Sequence, residues 1–159
     1  MATGALITAE KYLASHFDRE PEFVRGELVE RSLPNLSHSR TQQRLCVLLD
    51  GPGYSCINLS LRLAADLIRI ADFAMFEHEP EEDLPTSPPL LIVEINSPDD
   101  RLSDVERKLE EYRAWGVAHI WIVEPELREL YVYERGLVHV QQLDLPRFNL
   151  TITPDELFS

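Results

Sequence analysis

The stretch LLIVEINSPDDRLSDVERKLEEYRAWGVAHIWIVE, residues 90–124, decides the fold. Its two ends are apolar runs without polar alternation, which is typical of strands that are covered on both faces. The middle predicts a helix with Ser103 or Asp100 as its cap, closed by Gly116. One face of this helix is apolar: Leu102, Val105, Leu109 and Tyr112. Strand, helix, strand at this spacing predicts a βαβ unit with a right-handed crossover and two parallel strands.

The rest of the sheet is predicted to be antiparallel. YSCINLSLRLAA (54–65) and LIRIADFAMF (67–76) are extended apolar runs, and ELYVYE (129–134) with LVHVQQLD (137–144) adds two hairpin-linked strands. A core-packing helix is expected after Pro34, with Ser37 as its cap. The sequence therefore predicts an α/β fold, a mixed sheet with helices on its faces, forming a single domain over residues 1–159.

Composition places the chain among ordinary globular proteins. It has 159 residues, 44% of them apolar, with no apolar run of the length that a membrane helix needs and no signal-peptide layout at the N-terminus. These features predict a cytoplasmic protein without membrane contact. Cys46 and Cys56 lack metal-ligand spacing and are interpreted as buried thiols.

The net charge of −13 bears on any nucleic-acid hypothesis. Phosphate binding is driven by Lys and Arg, which release counterions, so this charge argues against strong non-specific affinity for DNA. It does not exclude a local basic groove, nor divalent cations that neutralise an acidic site.

Two acidic residues lie in strands that are otherwise apolar and are predicted to be buried. Asp72 lies in LIRIADFAMF on the same face as Ile70 and Ala74, and Glu94 lies in LLIVEIN on the same face as Ile92. A buried carboxylate without compensation costs several kcal/mol, roughly, so each needs a cation, hydrogen bonds or a raised pKa. One interpretation is an ordinary pairing with a basic neighbour: Arg62, Arg69 or Lys108.

A second interpretation is a metal site. Carboxylates from two neighbouring strands suit Mg²⁺ or Mn²⁺, whereas the lack of a Cys/His cluster argues against zinc. Lys108 lies in the helix that follows the Glu94 strand, from which it could point back toward both acids. The alternative for Lys108 is a surface ion pair with Asp104, four residues earlier.

These residues resemble the Uma-two family of endonuclease-like bacterial proteins, within the PD-(D/E)XK superfamily. The resemblance covers nearly the whole chain. It rests on PEFVRGELVE (21–30) followed by NLSHSR (35–40), on IRIADFAMF (68–76), and on residues 88–126 running into YVY. It implies a restriction-endonuclease-like fold and hydrolysis of nucleic-acid phosphodiester bonds, with DNA as the expected substrate.

The resemblance also implies roles for individual residues. Asp72 is similar to the first acid of the superfamily motif and Glu94 to the second. Asn96 stands where the motif usually has lysine, and Lys108 is similar to a family lysine that has moved to the following helix. The metal would be held by Asp72, Glu94 and the backbone carbonyl of Ile95.

Two further residues follow from the same likeness. Glu22 resembles an N-terminal acid of the family, with a solvated hairpin acid as the alternative. His38 resembles a family histidine, with a first-turn surface residue as the alternative.

Two other functions remain open from the sequence. One is a non-catalytic member of the same fold that binds nucleic acid or protein, which the net charge favours. The other is a dimerising module, favoured by the aromatic residues of ELYVYE if that strand lies at a sheet edge. A nuclease could also form a homodimer to cut two strands.

Overall fold

The computed structural model describes residues 5–159. Its α-helices are α1 (Ala9–Ala14), α2 (Leu36–Leu48), α3 (Leu102–Trp115) and α4 (Pro154–Leu157). Its strands are β1 (Glu22–Val24), β2 (Glu27–Val29), β3 (Tyr54–Ala64), β4 (Leu67–Phe76), β5 (Leu91–Ile95), β6 (His119–Glu124), β7 (Glu129–Tyr133), β8 (Leu137–Val140), β9 (Leu143–Leu145) and β10 (Leu150–Ile152).

The strands form an eight-stranded mixed sheet, with a separate two-stranded sheet of β9 and β10. The order in the large sheet is β2-β1-β4-β5-β6-β7-β8, and β3 also pairs with β4. β5 and β6 are parallel and are joined through α3, whereas the other pairs are antiparallel. The predicted βαβ unit and the antiparallel remainder are confirmed.

β4 forms the centre of a fork in the sheet. β3 pairs with one edge of β4 along nearly its whole length. On the other edge, β1 pairs with Leu67 and Ile68, while β5 pairs with residues 73–75. Because β1 and β5 pair with different parts of β4, residues 69–72 of β4 face a gap between these two strands. Their backbone groups on that side need partners other than a neighbouring strand.

Helices cover both faces of the sheet. On one face α2, α4 and the small sheet pack against the core strands through Leu45, Phe73 and Trp121. On the other face α3 packs through Leu109 and Tyr112. Every residue of β4 and of β5 is buried, as the unbroken apolar runs predict. Any charged side chain on these two strands is therefore enclosed by protein.

Some local predictions need correction. Asn35, not Ser37, caps α2: its Oδ1 accepts a hydrogen bond from the His38 backbone N–H. Arg101 occupies the N-cap of α3 without a capping side-chain bond. The Asp100 carboxylate instead accepts bonds from the Ser97 N–H and the Ser32 hydroxyl, since the chain turns before the helix begins.

The sheet edges also differ from expectation. β3 is an edge strand with a largely solvent-accessible surface, and Cys46 and Cys56 are half-buried rather than buried. LVHVQQLD splits, so that β8 ends at Val140 and the small sheet begins at Leu143. β7 lies between β6 and β8, so the edge position that would have favoured dimerisation through ELYVYE is not observed. No helix in residues 5–159 is long and apolar enough to cross a membrane.

Candidate active site

Side chains fill the gap in the β4 fork. The Ile70 N–H donates to Glu22 Oε1 at 3.0 Å, and Lys108 Nζ donates to the Ile70 carbonyl at 2.9 Å. Glu22 comes from β1 and Lys108 from α3, so the elements on both sides of the fork are joined at one residue of β4. The two open backbone groups of Ile70 are thereby satisfied by charged partners, which form stronger hydrogen bonds than neutral ones.

Asp72 lies at the end of the same gap. Its Oδ2 accepts the Ile95 N–H at 2.8 Å, which ties β4 to β5 beyond their backbone ladder. Its Oδ1 lies 2.8 Å from Arg31 Nη2 and 3.4 Å from His38 Nε2. The carbonyl of Asp72 accepts a bond from Gln42 Nε2 at 2.8 Å, so α2 helps to fix the strand that carries the acid.

Glu94 shares its cation with Glu22. Lys108 Nζ lies 3.1 Å from Glu94 Oε1 and 2.6 Å from Glu22 Oε1, and the Tyr112 hydroxyl donates to Glu94 Oε1 at 2.8 Å. The alternative pairing of Lys108 with Asp104 is not formed. The nearest charged partner of Asp104 is Arg107, with 3.9 Å between Nη1 and Oδ1.

The residues that surround these acids also form ion pairs. Arg69 is the buried partner of Glu22, at 3.0 Å, and it donates to Glu111 on α3 at 2.7 Å. Arg69 and Arg62, the basic neighbours considered from the sequence, do not contact Asp72 or Glu94; Arg62 donates to the Ala65 carbonyl. Of the predicted pairings, only that of Lys108 with Glu94 is observed.

The acids differ in their pKa values. Burial raises the pKa of Asp72, but the His38 hydrogen bond, the Lys108 charge and the Ile95 N–H bring it down to about 2. Burial likewise opposes ionisation of Glu22, yet the charges of Lys108 and Arg69 lower its pKa below the ordinary value. For Glu94, burial is the largest cause and raises the pKa to about 8; the charges of Asp72 and Glu22 act in the same direction. Of the three acids, only Glu94 lies in surroundings that favour its neutral form, and burial is the main reason.

The raised pKa of Glu94 predicts a pH-dependent stability without metal. Between the ordinary value of 4.5 and about 8, Glu94 is protonated in the folded protein and ionised in the unfolded one. The folded state then binds one proton more, so this group makes the free energy of unfolding fall by about 1.4 kcal/mol per pH unit in that window. Glu94→Gln removes this contribution, and its stability relative to wild type is expected to grow with pH.

The measurement is urea unfolding of both proteins in EDTA across that pH window. Asp72 and Glu22 do not interfere, because their lowered pKa values place their contributions below the window. Parallel pH profiles for wild type and Glu94→Gln would contradict a raised pKa.

The fork opens into a cleft of about 730 Å³. All the residues predicted for the site line it: Glu22, His38, Asp72, Glu94, Ile95 and Lys108. Glu22 is buried in an ion-pair network and is not a solvated hairpin acid. His38 points inward; its Nδ1 is buried and is the only such side-chain atom in residues 5–159 without a hydrogen-bond partner. The side chain of His38 is therefore not a free surface residue.

The donor set fits a hard divalent cation. Glu94 lines the cleft, and the hydrogen bond from Tyr112 and the ion pair with Lys108 both involve its Oε1. Residues 5–159 contain no group of three or more His, Cys, Asp or Glu side chains arranged to hold a metal. Mg²⁺ does not require one, because it is commonly bound by one or two carboxylates with waters and phosphate. A cation beside Glu94 would also favour its ionised form, which burial and the charges of Asp72 and Glu22 disfavour.

Sequence reasoning missed three contacts in this site: those of Arg31, Gln42 and Tyr112. Tyr112 had a detectable signal, because it lies four residues after Lys108 on the same helix face. Arg31 and Gln42 reach Asp72 from distant segments, and nothing in their local sequence indicates that contact.

A mixed sheet with one parallel βαβ unit and helices on both faces is the architecture of a restriction-endonuclease-like fold. The chain belongs to the Uma2 family, described as "Putative restriction endonuclease", whose profile matches residues 9–159. This result confirms the family and the fold class indicated by the sequence motifs.

A solved structure is similar over the same extent. It is described as a putative nuclease belonging to DUF820, from Anabaena variabilis ATCC 29413. The TM-score is 0.81 at 18% identity, with 96% of this chain and 97% of that chain covered. At this identity the likeness shows the fold. No curated protein matches the chain.

Proposed function

We propose that the protein is a Mg²⁺- or Mn²⁺-dependent endonuclease that hydrolyses phosphodiester bonds of DNA. The observation that carries the proposal is the position of Lys108. Its ammonium group reaches from α3 to within 3.1 Å of Glu94, in the cleft that also contains Asp72. Family membership supports the same reaction class.

Asp72, Glu94 and the carbonyl of Ile95 are the proposed metal ligands. The bound ion would supply Lewis-acid stabilisation of phosphate charge and would lower the pKa of a coordinated water. Tyr112 orients Glu94 through its hydroxyl, and the Ile95 N–H orients Asp72. Such outer contacts fix the direction in which a carboxylate presents its free oxygen.

Lys108 is proposed to orient the attacking water and to hold positive charge beside the reacting phosphate. Glu22 positions Lys108 at 2.6 Å and is itself fixed by Arg69. His38 contacts Asp72 from α2, with 3.4 Å between Nε2 and Oδ1, and is proposed to help to position that acid. The proposed roles of Lys108, Glu22 and His38 depend on hydrogen bonds and ion pairs that these residues make within the cleft.

The proposal is compatible with the acidic composition. The lining of the cleft includes Arg19, Arg31 and Arg101 as well as the acids, so positive charge is available locally to phosphates. The net charge of −13 still predicts weak binding of DNA without divalent ions.

Wild-type protein tests the function directly. Supercoiled and single-stranded DNA are incubated with Mg²⁺, with Mn²⁺ and with EDTA, and the binding of each ion is measured by calorimetric titration. We expect cleavage with either ion, none in EDTA, and saturable binding of metal. A protein that binds neither ion cannot perform this reaction.

A non-catalytic, nucleic-acid-binding protein of the same fold is the second candidate. The contact that favours it is the pairing of Asp72 with Arg31, since an acid already neutralised by arginine needs no metal. Affinity for DNA that is unchanged by EDTA, together with no metal binding, would favour this function. A homodimer remains a prediction in either case, and light scattering would test it.

A further inference from the structure

Arg31 occupies a position that the proposed function does not explain. Its Nη2 donates to Asp72 Oδ1 at 2.8 Å, while Asp72 Oδ2 is bound to the Ile95 N–H. Both oxygens of the proposed first metal ligand therefore have protein donors. A cation that binds Asp72 must compete with the guanidinium group for Oδ1.

The Arg31 backbone and its side chain are fixed by different contacts. Arg19 Nη2 donates to the carbonyls of Arg31 and Ser32, at 2.8 Å and 3.2 Å, and the Ser32 hydroxyl donates to Asp100 at 2.6 Å. Within residues 5–159 the Arg31 guanidinium makes a single hydrogen bond, the one to Asp72. Its other guanidinium nitrogens are not buried, and the side chain as a whole is 24% exposed. The Arg31 backbone is therefore fixed by contacts that do not depend on the bond from its side chain to Asp72.

We propose that Arg31 is a stand-in cation that metal displaces from Asp72 and that then binds the substrate phosphate. This inference rests on the proposed function. A divalent ion beside Asp72 both replaces the arginine's charge and repels it, because two cations at short range in a buried site oppose each other. The released guanidinium still has its planar set of donors in the cleft, and that geometry matches phosphate oxygens. Metal binding and phosphate binding are thereby coupled through one side chain.

This exchange predicts that removal of Arg31 has opposite effects on metal binding and on DNA binding. Removing Arg31 should strengthen Mg²⁺ binding, because the competitor is gone, and should weaken DNA binding only when metal is present. A permanent structural partner of Asp72 would instead show weaker metal binding on removal. An ordinary phosphate-binding arginine would lower DNA affinity equally with and without metal.

The experiment compares wild type, Arg31→Gln and Arg31→Lys, with Arg101→Gln as the matched variant that lines the cleft without touching Asp72. Mg²⁺ alone is titrated by calorimetry. A short fluorescein-labelled DNA duplex is titrated by anisotropy in Ca²⁺, which has the same preference for oxygen ligands, and in EDTA. Thermal unfolding in EDTA verifies that each variant is folded.

For Arg31→Gln we expect Mg²⁺ binding about tenfold tighter, the factor that matches one charge-assisted hydrogen bond. We expect its duplex affinity to be about tenfold weaker in Ca²⁺ and unchanged in EDTA. Arg31→Lys keeps the charge and should retain the Mg²⁺ affinity of wild type. Arg101→Gln should leave Mg²⁺ affinity unchanged and should weaken duplex binding equally in Ca²⁺ and in EDTA.

Two results would overturn the inference: equal or weaker Mg²⁺ binding in Arg31→Gln, or equal losses of duplex affinity with and without metal. If wild type binds Mg²⁺ and Arg31→Gln binds it no better, only the Arg31 inference fails. If neither protein binds Mg²⁺, the proposed function fails as well.

Discussion

Asp72→Asn and Glu94→Gln are each expected to lower Mg²⁺-dependent DNA cleavage by about a thousandfold or more, because each removes one of two charged ligands from the proposed metal site. Both substitutions preserve size and keep an oxygen for the hydrogen bonds from the Ile95 N–H and the Tyr112 hydroxyl. The fold should therefore be retained. Cleavage is measured as the nicking rate of supercoiled DNA, and metal binding by calorimetry.

Glu124→Gln is the matched control for these two variants. Glu124 is as buried as Glu94, at 9% exposure, and lies on the adjacent parallel strand, but it binds Asn96 and does not line the cleft. It should cleave at the wild-type rate. Nicking by Asp72→Asn or Glu94→Gln at the rate of Glu124→Gln would contradict the assignment of the two acids.

The same Glu94→Gln change is expected to stabilise the metal-free protein at high pH while it lowers DNA cleavage. The two effects have one physical origin. Glu94 is buried beside Asp72 and Glu22, and these surroundings disfavour its charge. If the proposed metal site is correct, this electrostatic cost is present only while the cation is absent.

The sequence was sufficient to predict the mixed sheet with its βαβ unit and the burial of two acids. β4 and β5 are apolar runs on which only a few polar side chains interrupt the pattern, so Asp72 and Glu94 stand out by burial alone. The position of Lys108 followed from the family resemblance, because helical spacing equally allowed the pairing with Asp104. Local pattern cannot decide between two partners of a long, flexible side chain.

The fork in β4 and the contacts of Arg31 could not be predicted from local sequence patterns. β1 and β5 pair with different parts of β4 and are distant from each other in the chain, so the gap between them depends on tertiary register. Arg31 lies in a segment without regular structure after β2 and reaches a residue 41 positions away. Ion pairs of this kind are set by which loops the fold brings together, and no periodicity marks them.

Lys108→Met is expected to separate catalysis from metal binding. Methionine keeps the length and apolar stem of lysine but removes the ammonium group that lies between Glu22 and Glu94. The turnover rate should fall by about 10²- to 10⁴-fold, the range for loss of a positioned acid–base or water-orienting group. Mg²⁺ should still bind, because neither carboxylate ligand is altered, and the added positive charge of the ion compensates for the missing lysine.

The structural role of Lys108 must be distinguished from this catalytic one. Removing one partner of a buried pair is destabilising by about 3–5 kcal/mol when nothing replaces it. Here Glu22 keeps Arg69 and the Ile70 N–H, so the loss should be smaller. Lys108→Arg retains the charge and should restore the free energy of unfolding. It should not restore cleavage, because a planar guanidinium cannot place a donor where Nζ lies.

Arg107→Met is the matched control on the same helix, since Arg107 is 66% exposed and does not line the cleft. It should leave cleavage, metal binding and stability unchanged. Wild-type turnover in Lys108→Met would remove the lysine from the mechanism. Loss of Mg²⁺ binding together with turnover would show that Lys108 only maintains the arrangement of the acids, and rescue of cleavage by Lys108→Arg would show that positive charge alone, in any geometry, is what the reaction requires.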